Sequence, residues 1–422
     1  MSLSALLRPR VLVPVVLLIV IGAGILIFSG GGDSKPVAEA GSHFGESNSS
    51  TGRGSLLDTM APILGATQPK QTRGSDPKPP SADELGRSPG DAVAGLFIVG
   101  FRGKGAGSDF FARLEARPYG GVLLTSGNYS DTRQLGNLTR TIQRAARRAG
   151  NPAPLVAAQQ EGGDFNAFGD LAPKPQVDVG KAGPRTAFAS ALLAGKVLKV
   201  LGVTVTLAPN ADIEVAGGPA QGRAFSDRPS EVVSAVRASV GAYKAAGIIS
   251  AVGPFPGDGA ASQDPNIGAA PVGLSIEQLR GADMKPFAAV ASGRTAAPAI
   301  QMSNAIYVAY DAVTPATLLP DAYKELRDRL GFTGAIISAD LTATTATSGG
   351  TVGEAAVEAL KAGADLLVIP GGRAQQDEAY RAVVAAVRSR EIPAERVVSA
   401  LRRIATLRRL SRGAREAVKV PQ

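Results

Sequence analysis

Residues 330–341 read LGFTGAIISADL. Within them GAIIS (334–338) is a short run, mostly apolar on both faces, followed by the carboxylate of Asp340. A strand apolar on both faces is buried on both, as in a parallel sheet covered by helices. Immediately upstream, Thr317–Leu330 has helical spacing and stops at Gly331, a common helix terminator. Downstream, DLLVIPG (365–371) repeats the strand pattern. Two helical stretches follow it, Arg373–Arg390 and Pro393–Arg412. Six more runs of the same kind lie toward the N-terminus: GLFIVGF (95–101), GVLLT (121–125), PLVAA (154–158), VTVTLAP (203–209), IISAVG (248–253) and PAIQM (298–302). Between them, Asp131–Ala149 opens on an aspartate cap, Pro229–Ala246 ends before Gly247, and Ser275 starts SIEQL as a cap. Eight strands alternating with helices across 89–422 predict an α/β fold, a (β/α)8 TIM-type barrel. A doubly wound open sheet is the alternative.

Composition narrows the chemistry. The chain has 422 residues, 44% hydrophobic and 19% charged, enough apolar material for a large core. It has no cysteine, which excludes disulfides, a thiolate nucleophile, thiolate metal sites and a lipid-modified cysteine anchor. Its single histidine, His43, falls outside the barrel stretch. A histidine-based triad or metal site is therefore excluded there, and neither metal nor cofactor is expected. No tryptophan is present to stack on sugars or bases. Lys plus Arg is 45 against 36 acids, a formal charge of +9. Part of that excess is local: seven Lys/Arg and one acid, Glu416, lie within 400–422. This reads as a solvated helix face or as attraction to an anionic surface such as wall polymer or lipid headgroups. No nucleic-acid motif accompanies it, so nucleic acid is not an expected partner.

The N-terminal part is organised differently. Residues 11–28, VLVPVVLLIVIGAGILIF, carry no charge over 18 residues, near the lower limit for a transmembrane helix. Arg8 and Arg10 precede the run and no Lys or Arg follows until Lys35. The positive-inside rule places residues 1–10 in the cytoplasm and the barrel outside a single-pass cell-membrane anchor. A cleaved signal peptide is the rival, with Ala38-Glu39-Ala40 as its cleavage site. Residues 29–88 are rich in Gly, Ser, Pro, Asp and Lys and read as a flexible linker, interrupted by LLDTMAPIL at 56–64. The barrel domain is then 89–422.

In such a barrel the chemistry lies in the loops after each strand's C-terminal end. Those loops offer Asn128, the stretch QQEGG (159–163), Asn210 and Asp212, PFPGD (254–258), Ser303 and Asn304, SAD (338–340) and PGG (370–372). Carboxylates and amides dominate and there is no phosphate-cradling loop, a set suited to carbohydrate hydroxyls.

In this order the segments resemble glycoside hydrolase family 3, in particular its single-domain β-N-acetylhexosaminidases. The likeness spans roughly 89–412 and rests on GLFIVGF, GGVLLTSGN, QLGNLTRTIQ, LVAAQQEGG, LGVTVTLAPNADIE, GRAFSDRP, FPGDG, TPATLLP, LGFTGAIISADL, EALKAGADLLVIPGG and IPAERVVSALRRIATLRR. The resemblance implies a retaining mechanism. An aspartate at the end of the seventh barrel strand attacks the anomeric carbon. An Asp-His pair in the loop after the fifth strand moves the proton.

This chain departs from the family pattern at those positions. Ser-Asp-Asp-Leu is Ser338-Ala339-Asp340-Leu341, so Ala339 stands at the nucleophile position. Asp-Ser-His is Asp264-Pro265-Asn266, and an amide does not transfer protons near neutral pH. A substrate-binding Lys-His pair is Gly253-Pro254, and the Asp of Asp-Gln-Glu-Gly-Gly is Gln159, with Asp164 in place of the following Arg. The histidine after the sixth strand is Asn304. The substrate-binding candidates are Arg223, Gln159, Asp212 and Asn304; an ion pair of Arg223 with Asp227 or Asp212 is the plainer expectation for that residue. The expectation is a catalytically impaired barrel that binds glycan or a partner at the cell envelope. One alternative is an active glycosidase with Asp340 as nucleophile and Asp258, Asp264 or Glu161 as acid/base. Another is an interaction module with a vestigial pocket.

Overall fold

The structure, a computed structural model, describes residues 80, 81, 85, 88–105, 107–169 and 171–416. The apolar run 11–28 and nearly all of the stretch 29–88 lie outside them. Among the described residues no helix is long and apolar enough to cross a membrane. Leu85, within the stretch read as linker, is fully buried in the core.

Ten strands form. They are β1 Phe97–Val99, β2 Gly121–Leu124, β3 Leu155–Ala158, β4 Val205–Thr206, β5 Ile249–Phe255, β6 Pro271–Val272, β7 Ala299–Met302, β8 Ile306–Tyr307, β9 Ala335–Asp340 and β10 Leu366–Ile369. Eight of them close a parallel barrel in the order β1-β10-β9-β7-β5-β4-β3-β2. Closure decides against the open sheet. Each barrel strand lies within, or one or two residues beyond, an apolar run legible in the sequence, because burial on both faces leaves no polar position to blur the pattern. The remaining two, β6 and β8, pair in parallel and join the loops after β5 and β7.

The helices start and stop where local chemistry dictates. Asp131 Oδ1 accepts from the backbone N–H of Gln134 at 2.8 Å and opens Thr132–Arg148. Pro229 opens Pro229–Ala246, and Gly247 ends it in the left-handed region at φ 75°. Ser275 caps Ile276–Gly281 in a reciprocal capping box with Gln278. The helix expected over Thr317–Leu330 is instead broken into a 3-10 turn Ala316–Leu318, a short helix Pro320–Lys324 and a π turn Glu325–Arg329. Pro320 is the reason: it has no N–H to donate and forces Leu319 into extended backbone at ψ 110°.

Helices Ser108–Ala116, Pro184–Val200, Leu341–Ser348 and Val352–Ala362 were not legible. Pro184–Val200 lies against Pro229–Ala246, and a Cβ on Gly195 would stand 2.6 Å from that of Ala246. Small residues set that close approach, so its sequence lacks the bulky apolar stripe that signals a helix. Elsewhere the core is conventional. Phe255 and Phe287 meet edge to face at 5.1 Å, both fully buried. Burying each such side chain contributes about 1.5–3 kcal/mol.

Candidate active site at the barrel mouth

Two groups of polar side chains stand at the C-terminal ends of the strands. The first spans the loops after β3, β4 and β5. Glu161 receives both edges of the Arg223 fork, Nε on Oε2 at 2.6 Å and Nη2 on Oε1 at 2.7 Å. Gln159 Nε2 also donates to Glu161 Oε1 at 2.8 Å, and Phe165 lies under the guanidinium at 4.8 Å. The loop can turn this tightly because Gly162 sits at φ 123°, where a Cβ would be 2.1 Å from the carbonyl oxygen of Lys174. Arg223 therefore pairs with Glu161, not with the expected Asp227 or Asp212. Burial works against its charge, but Glu161 together with the nearby Asp212 outweighs burial and raises its pKa.

Asp212 and Asp258 lie behind that pair. Asp212 Oδ1 accepts from the Asp258 backbone N–H at 2.6 Å, and its Oδ2 from Asn210 Nδ2 at 2.8 Å. Asp258 Oδ1 accepts from the hydroxyls of Ser303 and, at 3.0 Å, Tyr307. Burial pushes Asp212 up to about 6 and, together with the charge of Asp212, pushes Asp258 up to about 8. Of the two, Asp258 keeps its proton at neutral pH.

That proton has a measurable consequence. In the folded chain Asp258 releases it near pH 8, in the unfolded chain near about pH 4. Between these values the fold binds more protons than the unfolded chain, so raising the pH destabilises it, by up to ~1.4 kcal/mol per unit. The decline ends above the folded value. Asp258→Asn, which mimics the protonated acid, is expected to flatten the dependence between pH 6 and 8. Urea midpoints measured across that range read this directly.

A second consequence concerns Glu161. Glu161→Gln leaves a nearly buried guanidinium without its counter-charge and is expected to cost roughly 2–3 kcal/mol. The charge of Asp212 nearby softens the loss. Urea unfolding of the variant at pH 7 measures it.

The second group joins the loops after β5, β7 and β9. Asp264 Oδ1 accepts from Asn266 through its backbone N–H at 2.9 Å and through Nδ2 at 3.1 Å. Asn266 Oδ1 accepts from Asn304 Nδ2 at 3.2 Å, and Asn304 Nδ2 also reaches the Asp340 carbonyl at 3.2 Å. Asn304 Oδ1 accepts from Thr344 Oγ1 at 2.6 Å. The loop carrying Asp264 and Asn266 is thus tied through amides to the end of β9. Ala339 is buried at that end. Asp340 turns the other way: its Oδ1 accepts from the backbone N–H groups of Thr342 and Ala343 and caps Leu341–Ser348. Burial raises its pKa, opposed by those two bonds.

The structure therefore gathers Glu161, Arg223, Gln159, Asp212 and Asp258 in one sector and Asp264, Asn266, Asn304, Ala339 and Asp340 in the other. They meet at the end of β7, where Ser303 belongs to the first and Asn304 to the second. Sequence reasoning missed Tyr307 and Thr344. Neither carried a signal, since Tyr307 lies inside the apolar run AIYVAY (305–310) and Thr344 lies in the monotonous TATTATS. Among the described residues no group of three or more His, Cys, Asp or Glu is placed to hold a metal ion.

A closed parallel barrel whose polar groups line the C-terminal loops, carboxylates and amides foremost, is the architecture of a barrel glycosidase. The glycosyl hydrolase family 3 N-terminal domain matches residues 108–407, and the chain belongs to that family. Over 288 residues it is 32% identical to a beta-hexosaminidase of Alkalilimnicola ehrlichii, covering 66% of this chain and 81% of the relative. Over 257 residues it is 31% identical to a beta-hexosaminidase of Methylococcus capsulatus, covering 59% and 75%. Among solved structures it is similar to a family 3 beta-N-acetylglucosaminidase from Paenibacillus sp. str. FPU-7, with TM-score 0.73 and 27% identity. That match covers 79% of this chain and 64% of the other, so the chain spans less than two thirds of that protein's length. The protein is β-N-acetylhexosaminidase-like within the family.

Proposed function

We propose that this chain is a catalytically impaired member of the family that binds an N-acetylhexosamine-containing glycan at the barrel mouth. One observation carries the reading. Ala339 offers a methyl where the family's pattern calls for a nucleophilic carboxylate, and the neighbouring Asp340 is committed to capping a helix. Asn266, tied to Asp264 and Asn304, supports the same reading, since an amide neither protonates a leaving oxygen nor activates water. Residues 11–28 would anchor the chain in the cell membrane and hold the barrel on the extracytoplasmic side. Protease accessibility of the barrel on intact cells tests that placement.

A second reading, an active hydrolase with relocated groups, draws on Asp258, which keeps its proton near neutral pH. Its burial and its bonds to Ser303 and Tyr307 weigh against it as an acid reaching substrate. The full chain in neutral detergent is expected to give no turnover of chromogenic N-acetylglucosaminide or glucoside above buffer, yet to bind N-acetylglucosamine oligosaccharides. Turnover abolished by Asp340→Asn or Asp258→Asn would overturn the proposal in favour of the second reading.

A further inference from the structure

At the end of the barrel opposite the mouth, one carboxylate faces three guanidiniums. Asp365 directly precedes β10 and is fully buried. Its Oδ2 accepts from the backbone N–H of Ile336 at 2.9 Å and from Arg327 Nη2 at 2.8 Å. Its Oδ1 accepts from Nη1 and Nη2 of Arg396 and from Nη1 of Arg403, all at 3.2 Å. Charge-assisted bonds of this kind ordinarily run ~2.7–2.9 Å. Three donors at 3.2 Å on one oxygen mark an oversubscribed acceptor. The charge is equally unbalanced, three cations against one anion. Burial, together with the charges of Arg403 and Arg396, pulls Arg327 down to about 10 despite its bond to Asp365.

The three arginines are not equivalent. Arg327 gives Nη1 to the carbonyls of Phe332 and Gly334, and Arg396 gives Nε and Nη2 to those of Leu360 and Ala364. These two are part of the fold. Among the described residues Arg403 bonds through Nη1 alone, to Asp365 and to Ser399 Oγ, and its side chain is 32% exposed. Its Nε–Nη2 edge is a planar fork of the geometry that grips an oxyanion. Arg402 and Arg409 are exposed on the same helix, Ala394–Glu416, and add to the positive field. The acids Glu358 and Glu391 are held by Lys361.

We infer that this face of the barrel is an anion site, remote from the mouth, in which the free edge of Arg403, backed by Arg396 and Arg327, takes a phosphate group. The ligand supplies the negative charge that Asp365 alone does not. The same chemistry is offered by free phosphate and by the phosphodiester of a lipid headgroup or wall polymer.

The test uses the full chain in neutral detergent at constant ionic strength, with inorganic phosphate or dimethyl phosphate replacing chloride. Phosphate is expected to raise the melting temperature by about 2–5 °C. Arg403→Ala should abolish that rise, and Arg403→Lys, which keeps the charge but loses the fork, should retain less than half of it. Phosphorus NMR line broadening, titrated with parent and with Arg403→Lys, reads binding independently if the alanine variant folds poorly; broadening by the parent that weakens in the lysine variant supports the site. A rise with dimethyl phosphate as well assigns the site to a phosphodiester, and a rise with inorganic phosphate alone assigns it to the free anion. If the parent melts alike in all salts, or Arg403→Ala responds as the parent does, the inference is wrong.

Discussion

Asp365→Ala is expected to lower the unfolding free energy by about 3–5 kcal/mol, the usual cost of removing one partner from a buried ion pair. The loss has two parts. Three guanidiniums, all less than a third exposed, lose the counter-charge they share. The backbone N–H of Ile336 loses its acceptor at 2.9 Å, which costs a further share of about 1–3 kcal/mol. Asp365→Asn keeps an oxygen for Ile336 and should lose less. Because a domain's total stability is only ~5–15 kcal/mol, the alanine variant sits close to the folding threshold. Urea unfolding at neutral pH measures both variants. A loss under about 1 kcal/mol for Asp365→Ala would show that the arginines relax into solvent and that the cluster does not hold this end of the barrel. Added phosphate should recover part of the alanine variant's loss through the site inferred at Arg403.

The second large effect is a gain. Ala339→Asp combined with Asn266→His is expected to raise turnover of a chromogenic N-acetylglucosaminide about 10²–10⁴-fold above the parent's background, the range typical of a positioned acid–base group. The placement favours it. Side chains alternate along β9, so a carboxylate at 339 leaves the side that Asp340 takes when it caps the following helix. The loop bearing Asn266 is already hydrogen-bonded to Asn304 and through it to the end of β9. Asp264 stands ready as partner for an imidazole at 266, since its Oδ1 already accepts from Asn266 Nδ2 at 3.1 Å. Each single variant should stay near background, because nucleophile and proton donor act as a unit. If the double variant folds, binds glycan and remains silent, then the missing Lys-His pair, Gly253-Pro254 here, has taken the positioning with it.

Much of the barrel is legible in the sequence. GAIIS and DLLVIPG form β9 and β10, and Ser275 and Asp131 cap the helices their sequence predicts. These signals are local: an apolar run, a cap, a terminator. The helix read over Thr317–Leu330 failed because Pro320 breaks a run whose periodicity alone is sound. Pro184–Val200 escaped notice because its packing rests on small residues such as Gly195. At the site, residue identities at 266, 304, 339 and 340 are legible. The partner of Arg223 is not, because Glu161 lies 62 residues away in sequence with two nearer acids competing for the assignment.

The chain's order of residues alone settled eight buried strands alternating with helices and the absence of histidine and cysteine chemistry from them. Both follow from side-chain type and spacing over a few residues, while closure into a barrel came with the fold. Only the folded molecule decided which charges neutralise one another. Glu161 takes Arg223, Asp258 keeps a proton beside Asp212, and one Asp365 is shared among three arginines. Coulomb attraction and desolvation depend on distance and burial, and both are set when strands far apart in the chain become neighbours around a closed barrel.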